Sequence, residues 1–236
     1  MKIFSRIVSA IFPDRCCVCG DVVSPGVELC DDCAKYRLRF CVGEKYCTRC
    51  GRPFNECTCD SVHVFNHAVF PFFYEDRVRM GIDNFKFGGR LYRARLFALQ
   101  MYKSAKGSGI LENADCVVFV PMHPVKKIIR GYNQTAVLAK EFSKLSGLPV
   151  INSLKKTGFT AAQHNLDAAE RRKNIKGTFS FNTKKRPQIE GKNIILIDDI
   201  MTTRSTMNEC SLTLLNNGAA NVDALAIAAV RLHRER

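Results

Sequence analysis

The stretch that decides the fold runs from Ile194 to Thr206 and reads IILIDDIMTTRST. It opens with a short unbroken apolar run, which is typical of a strand buried on both faces of a parallel sheet. Asp198 and Asp199 follow this strand, and a turn rich in hydroxyl side chains leads into a helix predicted over Arg204–Asn217. Ligands of open α/β sheets bind at the carboxyl ends of the strands, so we expect a binding site at this turn.

The residue types of this turn favour a phosphorylated sugar. Backbone N–H groups, hydroxyl side chains and the start of a helix together favour a phosphate. Carboxylates repel a phosphate, so Asp198 and Asp199 are better suited to accepting hydrogen bonds from sugar hydroxyls or to positioning Mg²⁺. A ribose 5-phosphate satisfies both requirements. The simpler alternative is that the two aspartates form a helix cap and a solvated turn.

Strands and helices alternate along residues 63–236. We predict strands at Phe70–Tyr74, Cys116–Val120, Asn193–Ile197 and Val222–Val230. Helices are predicted at Arg77–Phe87, Tyr92–Tyr102, Asn133–Leu145 and Arg204–Asn217. Residues 152–178 are polar and show little periodicity. This alternation predicts an α/β fold with a mainly parallel sheet flanked by helices.

Ten of the 12 cysteines lie in the first 59 residues. Eight of them form close pairs, a spacing that places two thiolates on one side of a tetrahedral zinc ion. We therefore predict two structural Zn²⁺ sites, which in sequential order are Cys16, Cys19, Cys30 and Cys33, and Cys47, Cys50, Cys57 and Cys59. An interleaved pairing of the same cysteines is the alternative. A disulfide framework fits less well, because no secretory signal is evident before the cysteines.

The last cysteine pair has a tight C-x-C spacing, so Asp60 or His63 is an alternative ligand there. Cys17 and Cys41 fall outside the pairing pattern and are predicted not to bind zinc.

The cysteine pattern also sets the predicted domain organisation. We expect a zinc-binding module over residues 1–62, with a short N-terminal helix, and an α/β domain over residues 63–236. Gly20 and Gly51 directly follow two of the cysteine pairs, where a zinc knuckle tends to need a positive φ. A module of this size buries little apolar surface, so zinc would supply much of its folding free energy.

The formal net charge of +14 is unevenly distributed. Residues 1–62 hold nine Lys and Arg against eight Asp and Glu, whereas residues 63–236 hold 27 against 14. The basic excess attracts polyanions such as phosphorylated metabolites, nucleic acid or acidic lipid. The hydrophobic content of 46% argues against a mostly disordered chain. No apolar stretch approaches the ~18–20 residues of a transmembrane helix, and we expect a cytoplasmic protein.

Beyond these local patterns, the chain resembles the ComF competence-protein family. In that family an N-terminal zinc module precedes a domain similar to type I phosphoribosyltransferases. The Ile194–Thr206 stretch looks like the 5-phosphoribosyl-1-pyrophosphate (PRPP) motif of those enzymes. KFGG at residues 86–89, VPMHP to RGYNQ over residues 120–134, and the region from Thr157 to Phe179 are similar to further family elements. The resemblance covers nearly the full chain.

The resemblance implies a role for each matching residue. Asp198 and Asp199 would be the catalytic residues and would contact the ribose hydroxyls of PRPP, which binds together with Mg²⁺. The residues implied to bind PRPP are Thr202, Thr203, Arg204, Ser205, Thr206, His123, Arg130, Lys156 and Arg171. Residues 155–174 correspond to a mobile flap, in which basic side chains would neutralise the departing pyrophosphate.

One residue departs from the family pattern. Arg204 stands where the family usually has Gly, which lets the backbone approach the phosphate closely and adopt a positive φ. Arg204 would either strain the turn or add a charged contact to the same phosphate. This departure bears on both PRPP binding and catalysis, so the sequence leaves enzymatic activity undecided.

Three functions are compatible with these features. The favoured one is a PRPP-binding, phosphoribosyltransferase-like protein that acts in DNA uptake and natural competence. The first alternative is a single-stranded DNA-binding protein, in which Lys and Arg follow phosphates and Phe or Tyr stack on bases. The second is an adaptor whose zinc module docks a helicase or another protein of the competence machinery.

Overall fold

A computed structural model describes residues 13–38, 46–57, 59, 63–87, 89, 91–158 and 177–231. The predicted N-terminal helix, Cys41, Asp60 and Arg171 lie outside the described residues. Most of the family flap, at residues 159–176, also lies outside them.

Seven strands are found in the described part of the chain. They are β1 (Ala68–Val69), β2 (Phe72–Phe73), β3 (Cys116–Phe119), β4 (Leu154–Lys156), β5 (Phe179–Phe181), β6 (Asn193–Met201) and β7 (Asn221–Ala229). The α-helices are α1 (Asp31–Ala34), α2 (Asp76–Phe87), α3 (Tyr92–Gly107), α4 (Pro124–Arg130), α5 (Gln134–Ser146), α6 (Arg186–Ile189) and α7 (Ser205–Leu215). Short 3-10 helices lie at Phe54–Glu56 and Thr183–Lys185.

The main sheet is parallel throughout the described residues. β6 lies between β3 and β7, and β1 and β2 both pair with the far edge of β7. In the register, Ile194 pairs with Cys116 on one side and with Val222 on the other. The carboxyl ends of β3, β6 and β7 therefore meet at one edge of the sheet. The second sheet is the antiparallel pair β4–β5.

Side chains of β6 alternate between two apolar layers, as the pleat of a strand requires. Ile195 and Ile197 pack in the cluster that contains residues of α3 and α5. Ile194 and Leu196 pack in the other cluster, which contains residues of α7 and of the β4–β5 pair. The strand is thus buried on both faces, as its unbroken apolar run predicts. The predicted parallel α/β sheet flanked by helices, preceded by a cysteine-rich module, is confirmed.

Several local predictions differ from the structure. The strand predicted at Phe70–Tyr74 is found only at Phe72–Phe73, and β1, β4 and β5 were not predicted. Strand β6 continues past Ile197 to Met201, because β7 offers backbone partners as far as Ala229. Helix α4 was not predicted from the sequence, because it has no apolar face: no α4 residue is buried, and both Ile128 and Ile129 are 81% exposed.

The cysteine-rich segment packs directly on the α/β part. Val18 lies in the same apolar cluster as Phe85 of α2 and Phe97 of α3. The Arg93 side chain is fully buried and donates hydrogen bonds to the backbone carbonyl oxygens of Val18 and Cys19. A buried guanidinium whose N–H groups meet carbonyl oxygens fixes the orientation of the first cysteine knuckle on α3.

Candidate functional site

The paired carboxylates lie on β6 rather than after it. Asp198 pairs with Ala226 of β7, and the Asp199 backbone N–H donates to Oδ1 of Asp198 at 2.8 Å. Adjacent strand residues point to opposite faces of the sheet, so the two carboxyl groups have different surroundings.

Asp199 forms an ion pair with Lys86 from the last turn of α2. Its Oδ2 lies 2.9 Å from Lys86 Nζ, and each side chain is only 16% exposed. Such a shielded pair is less screened by water than an exposed one. Lys86 is therefore paired with the carboxylate that was predicted to bind sugar hydroxyls. A sugar bound there must share the Asp199 carboxylate with the Lys86 ammonium or displace it.

Asp198 lies towards the face that carries α7 and the β4–β5 pair. Its pKa is raised to about 8, first by burial and then by the charge of Asp199, while Lys86 and Lys156 oppose the increase. Burial lowers the pKa of Lys156, and the charge of Lys126 lowers it further. Two lysines, Lys86 of α2 and Lys156 of β4, thus act on the carboxylate pair, and Lys126 of α4 acts on Lys156.

The predicted phosphate turn links β6 to α7. Thr202 is exposed, and the hydroxyl groups of Thr203 and Ser205 lie 3.0 Å apart. Helix α7 begins at Ser205, so its first backbone N–H groups face the end of the sheet where the carboxylates lie. Thr206 lies in the first turn of this helix. The turn thus contains the hydroxyl groups and the helix N-terminus that favour a phosphate.

Arg204 adopts the left-handed conformation at the residue that precedes α7, with φ +63° and ψ −2°. An L residue other than Gly is seldom found there, which accounts for the usual Gly of the family pattern. The Arg204 side chain is only 4% exposed. Its Nη1 donates to Nε2 of His63 at 2.7 Å. This hydrogen bond holds the guanidinium beside His63, and a contact between Arg204 and a bound phosphate stays a prediction.

Three further predicted PRPP-binding residues, His123, Arg130 and Lys156, belong to the described part of the chain. His123 precedes α4, and its Nδ1 accepts a hydrogen bond from the backbone N–H of Val125 at 3.3 Å. The Arg130 guanidinium lies 4.5 Å from the centre of the Phe87 ring. The Lys156 Nζ lies 5.2 Å from the centre of the Phe179 ring.

Lys86 and Lys126 were not among the predicted site residues. Only the KFGG match singled out Lys86, and a lysine at the end of an amphipathic helix is otherwise unremarkable. Its role depends on the packing of α2 beside β6, which no local pattern reveals.

The eight paired cysteines form two clusters in sequential order. Within each cluster the four sulfur atoms lie within 4.8 Å of one another. The Sγ atoms of Cys47 and Cys59 are 3.3 Å apart, and those of Cys50 and Cys57 are 3.7 Å apart. Four thiolates about 2.3 Å from one tetrahedral zinc ion would be roughly 3.8 Å apart, so the donor set fits zinc. The sequential pairing is therefore the one found.

The two clusters share one local geometry. In each, the Gly that follows the C-x-x-C pair donates its N–H to the carbonyl oxygen of the first cysteine, from Gly20 to Cys16 at 2.9 Å and from Gly51 to Cys47 at 2.7 Å. Both glycines have positive φ, +86° and +68°, as predicted. The pKa of each first cysteine is lowered to about 7, because hydrogen bonds from backbone N–H groups outweigh the opposing effect of burial.

No described cysteine is in a disulfide, which agrees with the zinc interpretation. Cys17 is buried in the apolar cluster outside both sulfur sets, as expected for a residue that does not bind zinc. His63 contacts Arg204, and the second set is complete with Cys59. The described residues contain no helix that is long and apolar enough to cross a membrane.

Known proteins match the cysteine-rich segment alone and also most of the chain. Residues 7–63 match the double zinc ribbon domain family. Over 234 residues the chain is 27% identical to Competence protein F of Haemophilus influenzae, an alignment that covers 92% of this chain and 97% of that protein. It is 26% identical to Competence protein ComFC of Bacillus subtilis, with 87% and 86% covered. It is 32% identical to DNA utilization protein YhgH of Escherichia coli over 130 residues, 55% of each chain.

Solved structures show only distant similarity. The allosteric regulatory enzyme of purine biosynthesis has a TM-score of 0.38 at 21% identity, over 57% of this chain and 25% of that one. A Trypanosoma cruzi hypoxanthine phosphoribosyl transferase has a TM-score of 0.36 at 16% identity, over 62% and 67%. Similarity at this level carries no information about function. The sequence comparisons do confirm the predicted resemblance: over most of its length the chain is similar to Competence protein F and Competence protein ComFC, and the segment before its α/β sheet matches a double zinc ribbon domain.

Proposed function

We propose that this protein binds PRPP, or another ribose with a 5-phosphate, and acts in DNA uptake as a ComF-type protein. One observation carries the proposal: paired carboxylates on β6 are followed at once by a hydroxyl-rich turn at the N-terminus of α7. The names of its relatives, Competence protein F and DNA utilization protein YhgH, support the biological role.

Each part of the site would recognise one part of the ligand. Residues Thr202–Thr206 would hold the 5-phosphate through hydroxyl and backbone N–H groups. Asp198 and Asp199 would accept hydrogen bonds from the ribose hydroxyls, and carboxylate oxygens of this kind suit a Mg²⁺ ion bound with PRPP. Lys86 and Lys156 would face the pyrophosphate side, where their charge attracts the ligand.

Isothermal titration calorimetry tests the binding. We expect the full-length, zinc-loaded chain to bind PRPP with Mg²⁺ at about micromolar Kd, and to bind ribose 5-phosphate more weakly because it lacks the pyrophosphate. An Asp199→Asn variant should lose PRPP binding, whereas the exposed-residue control Lys140→Met should retain it. Absence of heat with wild-type protein over a series of PRPP concentrations up to millimolar would refute the proposal.

Phosphoribosyl transfer is the reaction that this ligand would permit. An acceptor nucleophile would form a bond to C1 of the ribose as the bond from C1 to pyrophosphate breaks, and the partly buried Lys86 and Lys156 would stabilise the charge on the leaving group. Release of pyrophosphate from PRPP, measured with a panel of nucleobases and amines, tests for transfer. Binding without release would identify a PRPP-binding protein that does not catalyse the reaction.

Single-stranded DNA binding is the second candidate, and the exposed face around α4 favours it. Lys127 is exposed, Phe87 is 72% exposed, and Arg130 lies over the Phe87 ring. Cations beside an exposed ring suit phosphates and stacked bases. Binding of a fluorescent oligonucleotide across a salt series should give a steep negative slope of log K against log salt. Competition by PRPP would place DNA in the same cleft, and independent binding would place it on another face.

A further inference from the structure

The turn that follows β6 is attached on both sides to the second cysteine cluster. At the end of the turn, next to α7, Arg204 donates from Nη1 to Nε2 of His63 at 2.7 Å. Directly before the turn, the carbonyl oxygen of Met201 accepts the N–H of Val230 at 3.0 Å. The carbonyl oxygen of Val230 in turn accepts from Nη2 of Arg52 at 2.7 Å, and Arg52 lies two residues after Cys50.

These contacts are enclosed. Arg52 is 1% exposed, Arg204 4% and His63 7%. The His63 ring stacks on Phe65 at a centroid distance of 5.3 Å and an angle of 5°. A guanidinium has no acceptor atom, so the bonded His63 Nε2 must be the unprotonated nitrogen, and the ring is neutral in this contact. His63 therefore supplies an acceptor to Arg204 but no negative charge.

Two buried guanidinium groups need negative charge close by. Arg52 and Arg204 repel each other electrostatically, while all four sulfurs of the second cluster, at Cys47, Cys50, Cys57 and Cys59, attract Arg204. A Zn²⁺ ion with four thiolates carries a net charge of −2. This charge is opposite in sign to that of the two buried cations, whereas four neutral thiols without zinc would supply no charge of this sign. The carboxylate of Glu56 also attracts Arg52.

The backbone conformation of Arg204 explains why its contact with His63 affects the turn. Arg204 holds a left-handed φ of +63°, a conformation that is unfavourable for an L side chain. Burial of its side chain and its hydrogen bond to His63 hold that conformation in place. Because Arg204 immediately precedes α7, its φ and ψ set the direction of the first N–H groups of the helix.

We propose that Arg204 and Arg52 are positioning residues that couple the second zinc centre to the phosphate-binding turn. Zinc in the second cluster holds the two guanidinium groups, and these hold the two ends of the turn. Phosphate binding and zinc retention then favour each other, since coupling between two sites is reciprocal. The inference that the turn takes a phosphate rests on the proposed function, whereas the attachment to zinc does not.

Cysteine labelling resolves the two clusters separately. The full-length, zinc-loaded protein is exposed to a zinc-selective chelator and a maleimide, and mass spectrometry follows the labelling of each cysteine. In Arg204→Met we expect the second cluster to be labelled faster than in wild type by a factor of about 5 to 150, the usual range for coupled sites. The first cluster, which Arg204 does not contact, should be labelled at the wild-type rate.

The matched control is Arg49→Met, which removes the same charge from an exposed residue between Cys47 and Cys50. Wild-type labelling in Arg49→Met supports a specific role for the buried guanidinium. Equal labelling rates in wild type and Arg204→Met would overturn the proposal, as would equal acceleration by both substitutions.

A second variant keeps the test valid where Arg204→Met fails to fold, as judged by far-UV circular dichroism. His63→Leu removes the acceptor but leaves Arg204 in place, and it should also accelerate labelling of the second cluster alone. Unchanged labelling in a folded His63→Leu would then overturn the proposal.

The reciprocal experiment separates this inference from the proposed function. Saturating PRPP with Mg²⁺ should slow labelling of the second cluster in wild type, and this protection should be lost in Arg204→Met. If calorimetry shows that PRPP binds and yet gives no protection, the coupling is refuted and the proposed function stands. If PRPP does not bind, the proposed function fails, and the labelling rates of the unliganded variants still decide whether Arg204 supports the zinc centre.

Discussion

Asp198 illustrates how one residue of the site affects the stability of the protein. Its pKa is about 8 in the folded protein, against about 3.9 for an Asp in an unfolded chain. The folded state thus retains a proton that the unfolded chain has already released above pH 4. The contribution of this carboxyl to stability is full below about pH 4 and is lost as the pH rises through 8.

Replacing Asp198 removes that dependence. We expect Asp198→Asn to raise the free energy of unfolding at pH 8 by on the order of 1–3 kcal/mol, because the neutral amide has no charge to bury. For a chain of this size each kcal/mol corresponds to about 2–4 °C in Tm. Thermal unfolding at pH 5 and pH 8 should show a larger gain at pH 8, together with loss of PRPP binding. A gain that does not depend on pH would contradict the assignment of the shifted pKa to this residue.

The role of Lys86 in binding pyrophosphate can be tested by comparing PRPP with ribose 5-phosphate. If its ammonium faces the pyrophosphate, Lys86→Met should weaken PRPP binding by about tenfold or more, roughly the 1.5–3 kcal/mol of a charge-assisted hydrogen bond. Binding of ribose 5-phosphate should change little or improve, because Asp199 is then free of its ion pair. Calorimetry with both ligands checks this. Equal weakening of the two ligands would indicate that Lys86 only maintains the structure of the site.

At the scale of elements, helix α2 joins the site to the first cysteine cluster. Its last turn carries Lys86, and its middle turn carries Gly81, which lies directly against the backbone of Val18. A Cβ at Gly81 would overlap the carbonyl oxygen of Val18, and backbone cannot move aside cheaply. The small residue is therefore required by the close approach of the knuckle, although Ala is the better helix former.

We therefore expect Gly81→Ala to destabilise the protein by about 1–3 kcal/mol, the usual cost of overpacking. Urea unfolding measures the change, and zinc analysis shows whether the first cluster still binds its metal. Met80→Ala, at an exposed residue of the same helix, is the matched control and should be close to neutral. A stabilised Gly81→Ala protein would mean that α2 and the knuckle do not pack in this way.

At the scale of the whole molecule, the zinc centres and the sheet share their packing. Cys16, Cys33 and Val18 belong to the cluster that also contains Ile195 and Leu225 of the main sheet. Loss of zinc from the first cluster would therefore disturb the layer that covers one face of β6 and β7.

We expect two zinc ions per chain by metal analysis, and a large fall in Tm when a zinc-selective chelator removes them. A ligand present at a thousand times its Kd stabilises the folded state by about 4 kcal/mol, so tightly bound zinc should account for at least that much. The measurement is thermal unfolding followed by far-UV circular dichroism, which reports on the helices and strands of the α/β part. An unchanged Tm after complete zinc removal would show that the sheet folds independently of the cysteine-rich segment.

Much of the fold and part of the site were accessible from local patterns. The strand at Ile194–Ile197, the helix at Asn133–Leu145 and the C-x-x-C pairs follow from the spacing of neighbouring residues, and the structure contains each of them to within a few residues. Helix α4 was missed because its exposed isoleucines give no amphipathic signal. The predicted end of β6, at Ile197, is too early because the length of a strand depends on its partner strand, here β7.

The sequence by itself determined the parallel α/β class, the cysteines that form the two clusters and the hydroxyl-rich composition of the turn after β6, because these depend on residue type and short spacing. Tertiary structure alone decided the sequential order of the clusters, the pairing of Lys86 with Asp199, and the direction of the Arg204 side chain. The last two join residues more than a hundred apart in the chain, such as His63 and Arg204 with a separation of 141. Contacts of this range are set by how helices and knuckles pack on the sheet, which no local pattern encodes.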